Sequence, residues 1–244
     1  MDSASIRDRL LALDRREGVR LFLVRHGEAA NVTDGVFRYN GHIDVDVSPR
    51  GARQIEKVAQ YLQDKNISAV YSSDLQRARR GAEAIARHHG LSVQALSEFR
   101  EVKMGVWEGL TYKEIQQLYP EEVENKFREF VHYRVPGGEN LIDIQNRVIP
   151  RIRALVTLHR GQEIVLVGHG GMNMVLLCDA MNLGLDNFFR ITQGNGCLNI
   201  IDYFDDMTVV RLMNGSVEEG LFPNAGERLS DFAEQKKRSS VTTN

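Results

Sequence analysis

Short continuous runs of apolar residues alternate along this chain with longer stretches in which apolar positions recur at helical spacing. Apolar runs of roughly four to eight residues, bounded by polar turns, are typical of buried strands. The sequence therefore predicts strands over 20–25, 69–71, 164–167, 198–204 and 208–213. We interpret Asp205 and Asp206 as the turn that joins the last two.

Helices are predicted where the apolar spacing is helical or where leucine and methionine dominate. The predicted stretches are 4–16, 49–63, 75 to about 89, 110–131, 140–159 and 172 to about 181. Ser48 followed by Pro49 is a typical helix start, and Thr111 with Glu114 is a predicted capping box. Pro150 lies inside one of these helices, where a proline can introduce a kink.

The order of these elements predicts the fold class. Strands that alternate with helices favour a three-layer α/β/α sandwich with a largely parallel central sheet, whose ligands bind beyond the carboxyl ends of the strands. The sequence shows no internal repeat, so we expect one domain over 20–217, preceded by a lead-in helix in 1–19 and followed by a polar tail over 218–244.

Charge and composition exclude several classes of partner. The 31 basic and 33 acidic residues give a net charge of −2, which provides no bulk attraction to nucleic acid or to a membrane surface. No apolar stretch reaches the roughly 20 residues that span a bilayer, and the first residues do not resemble a signal peptide, so we predict a cytoplasmic protein. Cys178 and Cys197 lie in apolar contexts and are predicted to be buried free thiols.

Two predicted strands end directly in histidine, and this is the main chemical signal in the sequence. His26 follows the strand 20–25 and His169 follows the strand 164–167, and a glycine comes after each histidine. In a parallel sheet the carboxyl ends of strands meet at one edge, so both imidazoles are expected there. A lone histidine in this position would more often be structural, but the repeated pattern favours a functional role.

Arginines near the same strand ends suggest the chemistry. Arg25 precedes His26, and Arg77 follows the second predicted strand. A guanidinium group matches phosphate oxygens in a planar geometry with two hydrogen bonds, so the set is a plausible cradle for a phosphoryl group. For Arg79 and Arg80 we favour a solvated helix face.

Five motifs in order resemble the histidine phosphatase superfamily, which has the phosphoglycerate mutase-like fold. They are Arg25 His26 Gly27 Glu28 followed by Asn31; Ser72 Ser73 Asp74 Leu75 through Arg77 Ala78; Arg100 Glu101 with Gly105 and Trp107 Glu108 Gly109; Pro136 Gly137 Gly138 Glu139; and Gly168 His169 Gly170 Gly171. The resemblance covers roughly residues 20 to 204.

The resemblance implies that His26 is the nucleophile and forms a phosphohistidine, while Arg25, Arg77 and His169 bind the phosphoryl oxygens. Neutral imidazole has the lone pair that attacks phosphorus, and neighbouring cations both favour the neutral form and stabilise the transition state. His169 is counted among the catalytic residues. Asn31 is implied to donate an amide hydrogen bond to the phosphate.

Glu101 matches the acid/base carboxylate of the family, although spacing alone allows a surface glutamate equally well. Gly170, assigned to substrate binding, allows the backbone to approach a bound group closely. Glu139 is treated as a support residue, with helix capping as its alternative. The resemblance implies no metal and no cofactor, and it makes the chain a histidine acid-type phosphatase.

Within the family, the short interval from Glu101 to Pro136 favours phosphomonoester hydrolysis over mutase activity. A cofactor-dependent mutase, or a weakly catalytic binding or scaffold protein, remains the alternative. The expected partner is a small phosphorylated metabolite, with no nucleic acid and no membrane, and a homodimer is left open. Two departures from the family pattern are Ala29, where threonine or serine is usual, and the segment Asn40 Gly41 His42.

Candidates for leaving-group contacts lie in the loop after the first motif: they are Phe37, Arg38, Tyr39 and His42, with a solvated loop as the equal alternative. The histidines outside the motifs are interpreted as surface residues without ligand spacing for a metal, namely His42, His88, His89, His132 and His159.

Overall fold

The computed structural model describes residues 17–32 and 36–217. The predicted helix at 4–16 and the polar tail lie outside the described residues, so the assignment of 1–19 and 218–244 as separate segments stays a prediction.

A six-stranded sheet forms the centre of the molecule, with the strand order β3-β2-β4-β1-β5-β6. The strands are β1 (Val19–Arg25), β2 (Ile67–Ser73), β3 (Val93–Leu96), β4 (Glu163–Gly168), β5 (Leu198–Tyr203) and β6 (Thr208–Gly215). The first four run parallel to one another, whereas β5 is antiparallel to both of its neighbours. The prediction of a largely parallel sheet is confirmed.

Helices cover both faces of this sheet, as the three-layer prediction requires. They are α1 (Pro49–Leu62), α2 (Gln76–His89), α3 (Tyr112–Leu118), α4 (Pro120–Arg128), α5 (Leu141–Leu158) and α6 (Gly170–Ala180). Alternate residues of β1 divide the core: Phe22 and Val24 pack with α1 and α2, while Leu21 and Leu23 pack with α5 and α6. This alternation follows from the two-residue period of a strand.

The predicted helix starts have the expected geometry. The hydroxyl of Ser48 accepts a hydrogen bond from the amide of Gly51 at the first turn of α1. Thr111 and Glu114 form the predicted capping box of α3. The helix that contains Pro150 continues through it as one element, α5.

Two predictions about secondary structure are wrong. The stretch 110–131 is not one helix, because Tyr119 leaves the helical conformation before Pro120, and α4 then begins at that proline. The strand β3 was missed, since it has four residues, sits at the sheet edge and is only partly buried. Its sequence therefore lacks the continuous apolar run that marks β1 and β4.

Candidate active site

The neighbouring strands β1 and β4 place the two motif histidines side by side. Arg25 on β1 is in register with Gly168 on β4, and the amide of His26 donates to the carbonyl of Gly168 at 3.0 Å. The imidazole rings of His26 and His169 lie 5.1 Å apart between centroids, at an interplanar angle of 64°. The predicted meeting of both imidazoles at one sheet edge is confirmed.

The backbone fixes the tautomer of His26. Its Nδ1 lies 2.6 Å from the carbonyl oxygen of Gly27, and a carbonyl can only accept, so Nδ1 carries the proton and Nε2 carries the lone pair. Burial, followed by the charges of Arg25 and Arg77, holds the pKa of His26 well below its ordinary value. The side chain is therefore a neutral imidazole with its nucleophilic nitrogen away from the backbone.

Gly27 is required for the close approach of two loops at this point. A Cβ on Gly27 would lie 2.1 Å from the carbonyl oxygen of Gly51, a distance that no side chain tolerates. The glycine after the first motif histidine thus has a packing reason: it lets the turn after β1 press against the start of α1.

His169 is fully buried, and neither ring nitrogen has a hydrogen-bond partner within the part of the chain that is described. Burial comes first among the causes that hold its pKa well below the ordinary value, and the charge of Arg77 comes next. Buried polar nitrogens are normally paired, so an unpaired buried imidazole beside His26 is consistent with a site that holds a polar group when occupied.

Two guanidinium groups stand against the histidines. Arg77, at the start of α2, is 1 % exposed and donates to the carbonyls of Gly41 (2.7 Å) and Ile43 (2.8 Å). Arg25 donates from Nη1 to the carbonyl of Gln193 at 2.5 Å. The Nε of each arginine is buried and has no partner among the described residues. Backbone carbonyls therefore hold each guanidinium group in place, and N–H donors of each group remain unused and can bind an anion.

Glu101 reaches the same place from a different part of the chain. Its carboxylate accepts hydrogen bonds from the backbone amides of Gly171 and Met172, each at 3.1 Å, and from that of Val102 at 2.9 Å. The first two amides belong to the N-terminal turn of α6, the positive end of the helix dipole. The alternative of a surface glutamate is therefore wrong.

A glycine makes this contact possible. A Cβ on Gly171 would lie 2.8 Å from Oε1 of Glu101, so a larger residue would displace the carboxylate. Gly170 lines the cavity next to the guanidinium group of Arg25, and a Cβ there would lie 3.3 Å from Nε of that arginine.

Arg147 holds the segment that carries Glu101, and the sequence analysis missed it. Its guanidinium group donates to the carbonyls of Glu98 (2.6 Å), Arg100 (2.9 Å) and Glu101 (2.9 Å). It also forms a two-bond ion pair with Glu139 at 2.9 Å. The support role of Glu139 thus acts through Arg147. The one sequence feature that could have indicated Arg147 is its position directly before Val148, a buried residue of α5.

His42 is not a surface histidine, contrary to the sequence interpretation. It is half-buried, and its Nε2 lies 2.9 Å from the carbonyl oxygen of Glu101, to which it donates. Its own amide donates to Oε1 of Glu108 at 2.9 Å. Burial is the largest cause of the lowered pKa of His42. It therefore supports the loop of Glu101 as a neutral donor.

Asn31 lies beside the cavity rather than among the side chains that line it. Its amide nitrogen donates to Oδ1 of Asn40 at 2.6 Å, and the amide of Asn40 donates back at 3.2 Å. Asn40 does line the cavity, as does Ala29. The two departures from the family pattern are thus both at the wall of the site.

Several of these groups line a cavity of about 410 Å³, whereas the fully buried ring of His169 is not among them. Its floor contains Arg25, His26, Arg77 and Glu101. Its outer wall is built from aromatic side chains: Trp107, Tyr112, Phe127, Phe130, Phe188 and Phe189. Only Trp107 of this wall lies in one of the motifs. The other residues lie on α3, on or just after α4, and on the 3-10 helix Leu185–Arg190, none of which carries a motif, so the sequence did not reveal the wall.

The loop candidates divide into two groups. Phe37 and Tyr39 line the cavity, with ring centroids 5.6 Å apart. Arg38 instead donates to the carbonyl of Gly109 and to Glu114, outside the cavity wall. On α2, Arg79 and Arg80 have exposed side chains paired with Glu83 and Asp46, as expected for a solvated helix face.

Cys178 and Cys197 are buried free thiols, as predicted, and burial raises the pKa of Cys197 to about 11. Within residues 17–32 and 36–217, no three histidine, cysteine, aspartate or glutamate side chains are grouped so that they could hold a metal ion. Over the same residues, no helix combines the length and apolarity needed to cross a membrane.

Known proteins are similar to this chain over most of its length. Phosphoserine phosphatase 1 of Hydrogenobacter thermophilus is 29% identical over 204 residues, covering 84% of this chain and 96% of the relative. Glucosyl-3-phosphoglycerate phosphatase of Mycolicibacterium vanbaalenii is 30% identical over 176 residues, covering 69% of this chain and 77% of the relative. The crystal structure of the alpha-ribazole phosphatase from Shigella flexneri superimposes with a TM-score of 0.73 at 26% identity, covering 80% of this chain and 96% of that one.

The model of the histidine phosphatase superfamily (branch 1) matches residues 21–216. This range includes β1 with its Arg25 and His26, the loop of Glu101, and β4 with the following His169. It covers most of the sequence and nearly all of the described fold. The chain therefore belongs to the histidine phosphatase superfamily, branch 1.

Proposed function

We propose that this chain hydrolyses a phosphomonoester through a phosphohistidine intermediate. Nε2 of His26 attacks phosphorus, the bond from phosphorus to the leaving oxygen breaks, and Glu101, which enters this step in its protonated form, gives its proton to that oxygen. Glu101, now ionised, takes a proton from water as the water oxygen attacks phosphorus and the bond to His26 breaks. Inorganic phosphate then leaves, and the enzyme returns to its starting state.

The observation that carries this proposal is the arrangement around His26. A neutral imidazole with its lone pair on Nε2 opens into the cavity beside the guanidinium groups of Arg25 and Arg77 and the ring of His169. Phosphoryl transfer needs a positioned nucleophile and positive charge around the equatorial oxygens, and little else. Asn31 and Asn40 would hold the loop at the side of the phosphate, and Gly170 would admit the phosphate next to Arg25.

Relatives named as phosphatases support hydrolysis over the mutase alternative. The interval from Glu101 to Pro136 points the same way, because it is filled by a 3-10 turn and the two short helices α3 and α4. A binding or scaffold role is the weaker alternative, since a pure binding site has no need of a nucleophile and a proton donor together.

The test is turnover of p-nitrophenyl phosphate near pH 6. We expect His26→Ala to abolish it and the wild-type protein to show a phosphorylated His26 after acid-free trapping and mass spectrometry. Equal turnover in His26→Ala would refute the mechanism. Fast interconversion of 2- and 3-phosphoglycerate in the presence of bisphosphoglycerate would instead identify a mutase.

The acid-type character follows from the state of His26. The attacking imidazole must be neutral, and its pKa lies well below the ordinary value, so activity is retained as the pH falls below neutrality. We expect kcat/KM to decline on the acid side only as the pH passes through this lowered pKa. An acid limb at the pKa of an unperturbed histidine would contradict the burial and charge effects described above.

The same proposal extends to the location, the substrate and the partners of the enzyme. It acts in the cytoplasm on a small phosphorylated metabolite, without metal or cofactor, and binds neither nucleic acid nor membrane. Turnover that persists in excess chelator tests the metal independence. Light scattering on the full chain distinguishes a monomer from a homodimer.

A further inference from the structure

The cavity is larger and more apolar than a phosphoryl group requires. A water molecule takes up about 30 Å³ in the liquid, so the cavity of about 410 Å³ has room for a sizeable leaving group beside the phosphate. Phe130 lies 4.1 Å from Phe189 and 5.5 Å from Phe188 between ring centroids. Such a cluster favours a leaving group with an apolar, aromatic body over a small polar one.

One cation lies within this aromatic wall. Lys126, on α4, lines the cavity and is 8 % exposed, and its Nζ lies 4.9 Å from the centroid of the Phe130 ring. Among the described residues, Nζ donates hydrogen bonds to two carbonyl oxygens, those of Phe130 (3.2 Å) and Tyr133 (3.0 Å). An ammonium group has three N–H donors, so one is left for a ligand.

Within residues 17–32 and 36–217 no carboxylate forms an ion pair with Lys126, and its buried environment is unfavourable for an unpaired charge. Burial alone lowers its pKa to about 8, so the ammonium form is desolvated yet still predominates at neutral pH. The two carbonyls lie just past the end of α4, and a purely structural lysine could cap them. A structural cap, however, does not need to line the substrate cavity. An anion bound in the cavity next to Nζ would offset the energetic cost of burying the ammonium charge.

We propose that the substrate is a phosphomonoester whose leaving group combines an aromatic body with an anionic group that binds Lys126. The phosphate lies at the floor with Arg25 and His26, the ring packs against the phenylalanines of the wall, and the anionic group accepts a hydrogen bond from Nζ. This inference rests on the proposed function, because it concerns the leaving group of the same reaction.

The test compares substrates that differ only in charge. One pair is 4-carboxyphenyl phosphate and its neutral isostere 4-carbamoylphenyl phosphate; a second pair carries the same groups on a two-carbon extension, to allow for reach. The quantity measured is the ratio of kcat/KM for the acid to kcat/KM for the amide, from release of inorganic phosphate. We expect the wild-type protein to prefer one acid by roughly tenfold, the size of a charge-assisted hydrogen bond.

Three variants separate the specificity role from a structural one. Lys126→Met keeps the length and removes the charge, so we expect the acid-to-amide ratio to fall by about tenfold, whereas Lys126→Arg should retain most of it. Arg128→Met removes an exposed charge from the same helix and should leave the ratio unchanged. Comparing each ratio across variants cancels the different reactivity of the two leaving groups and any general loss of folded protein.

The outcomes distinguish this inference from the proposed function. If no phosphate is released from any substrate, or if His26→Ala remains active, the proposed function fails. If His26-dependent hydrolysis occurs but Lys126→Met leaves the acid-to-amide ratio of both pairs unchanged, the inference about the leaving group is overturned and the hydrolase proposal stands.

Discussion

At the floor of the cavity Arg77 is 1 % exposed and His26 is 6 % exposed, whereas at the outer wall Phe127 and Phe189 are 62% and 64% exposed. The floor side chains lie at or just after the ends of β1 and β2, or in the loop of Glu101, and the two arginines and Glu101 are held by backbone carbonyls and amides. Most of the wall comes from α3, from α4 with the following Phe130, and from the 3-10 helix Leu185–Arg190, and the rings of Phe130, Phe188 and Phe189 contact one another. The sheet therefore fixes the groups for chemistry, while peripheral helices set the shape available to the leaving group.

The largest expected effect comes from the floor. Arg77→Met removes a guanidinium group placed to stabilise charge on the phosphoryl oxygens, so we expect kcat/KM to fall by about 10³-fold. Because Arg77 is expected to act on the phosphoryl oxygens and not on the leaving group, the loss should be the same for aryl and alkyl phosphates. Steady-state kinetics on p-nitrophenyl phosphate and glycerol phosphate would measure it.

Arg77 also donates to the carbonyls of Gly41 and Ile43, so the variant needs a stability control. Arg77→Lys keeps a charge and can reach one of these carbonyls, and thermal unfolding of both variants separates misfolding from lost catalysis. A loss confined to one class of leaving group would break the division between floor and wall.

The next largest effect is expected for Glu101, which acts on the oxygen that joins the phosphate to the leaving group. A substitution there tests the division between a floor for chemistry and a wall for the leaving group. In Glu101→Gln the single side-chain oxygen can accept from only one of the two α6 amides, the NH2 group faces the other, and no proton can be donated to the leaving oxygen. We expect a loss of about 10²-fold on alkyl phosphates, whose alkoxide needs a proton. Turnover of p-nitrophenyl phosphate should fall much less, since p-nitrophenolate leaves without one. Equal losses on both substrates would remove Glu101 from the role of general acid.

The sequence predicts the floor far better than the wall, and the reason is physical. Apolar runs such as Leu21–Val24 stop abruptly at reactive residues, so a buried parallel strand and its functional end are visible together. Parallel pairing then brings His26 and His169 to one edge without knowledge of any loop. The contact between Glu101 and α6 could not be derived in this way, since it joins residues about 70 positions apart across a loop.

The wall lacks such a signal. Lys126 has the pattern of an ordinary lysine on an amphipathic helix, where a long stem commonly covers apolar surface while the charge remains in water. Phe188 and Phe189 are adjacent and follow no strand or helix period. Only the structure shows that these side chains line the cavity, where Phe130, just after α4, contacts Phe188 and Phe189. Specificity residues on peripheral elements are hard to predict for this reason.

The smallest expected effect on the kinetics comes from the exposed part of the outer wall, at Phe189. Phe189→Ala removes a ring that stacks on Phe130 but is 64% exposed, so a bound aromatic group loses only part of its apolar cover. We expect KM for aryl phosphates to rise about threefold, in line with a modest change in buried apolar area, while kcat and the kinetics on glycerol phosphate stay the same. Leu158→Ala, at an equally exposed position on α5 away from the cavity, is the matched control and should change neither constant. If Phe189→Ala lowered kcat on both kinds of substrate, the outer wall would influence the chemical step at the floor. The separation between a floor for chemistry and a wall for substrate selection would then not hold.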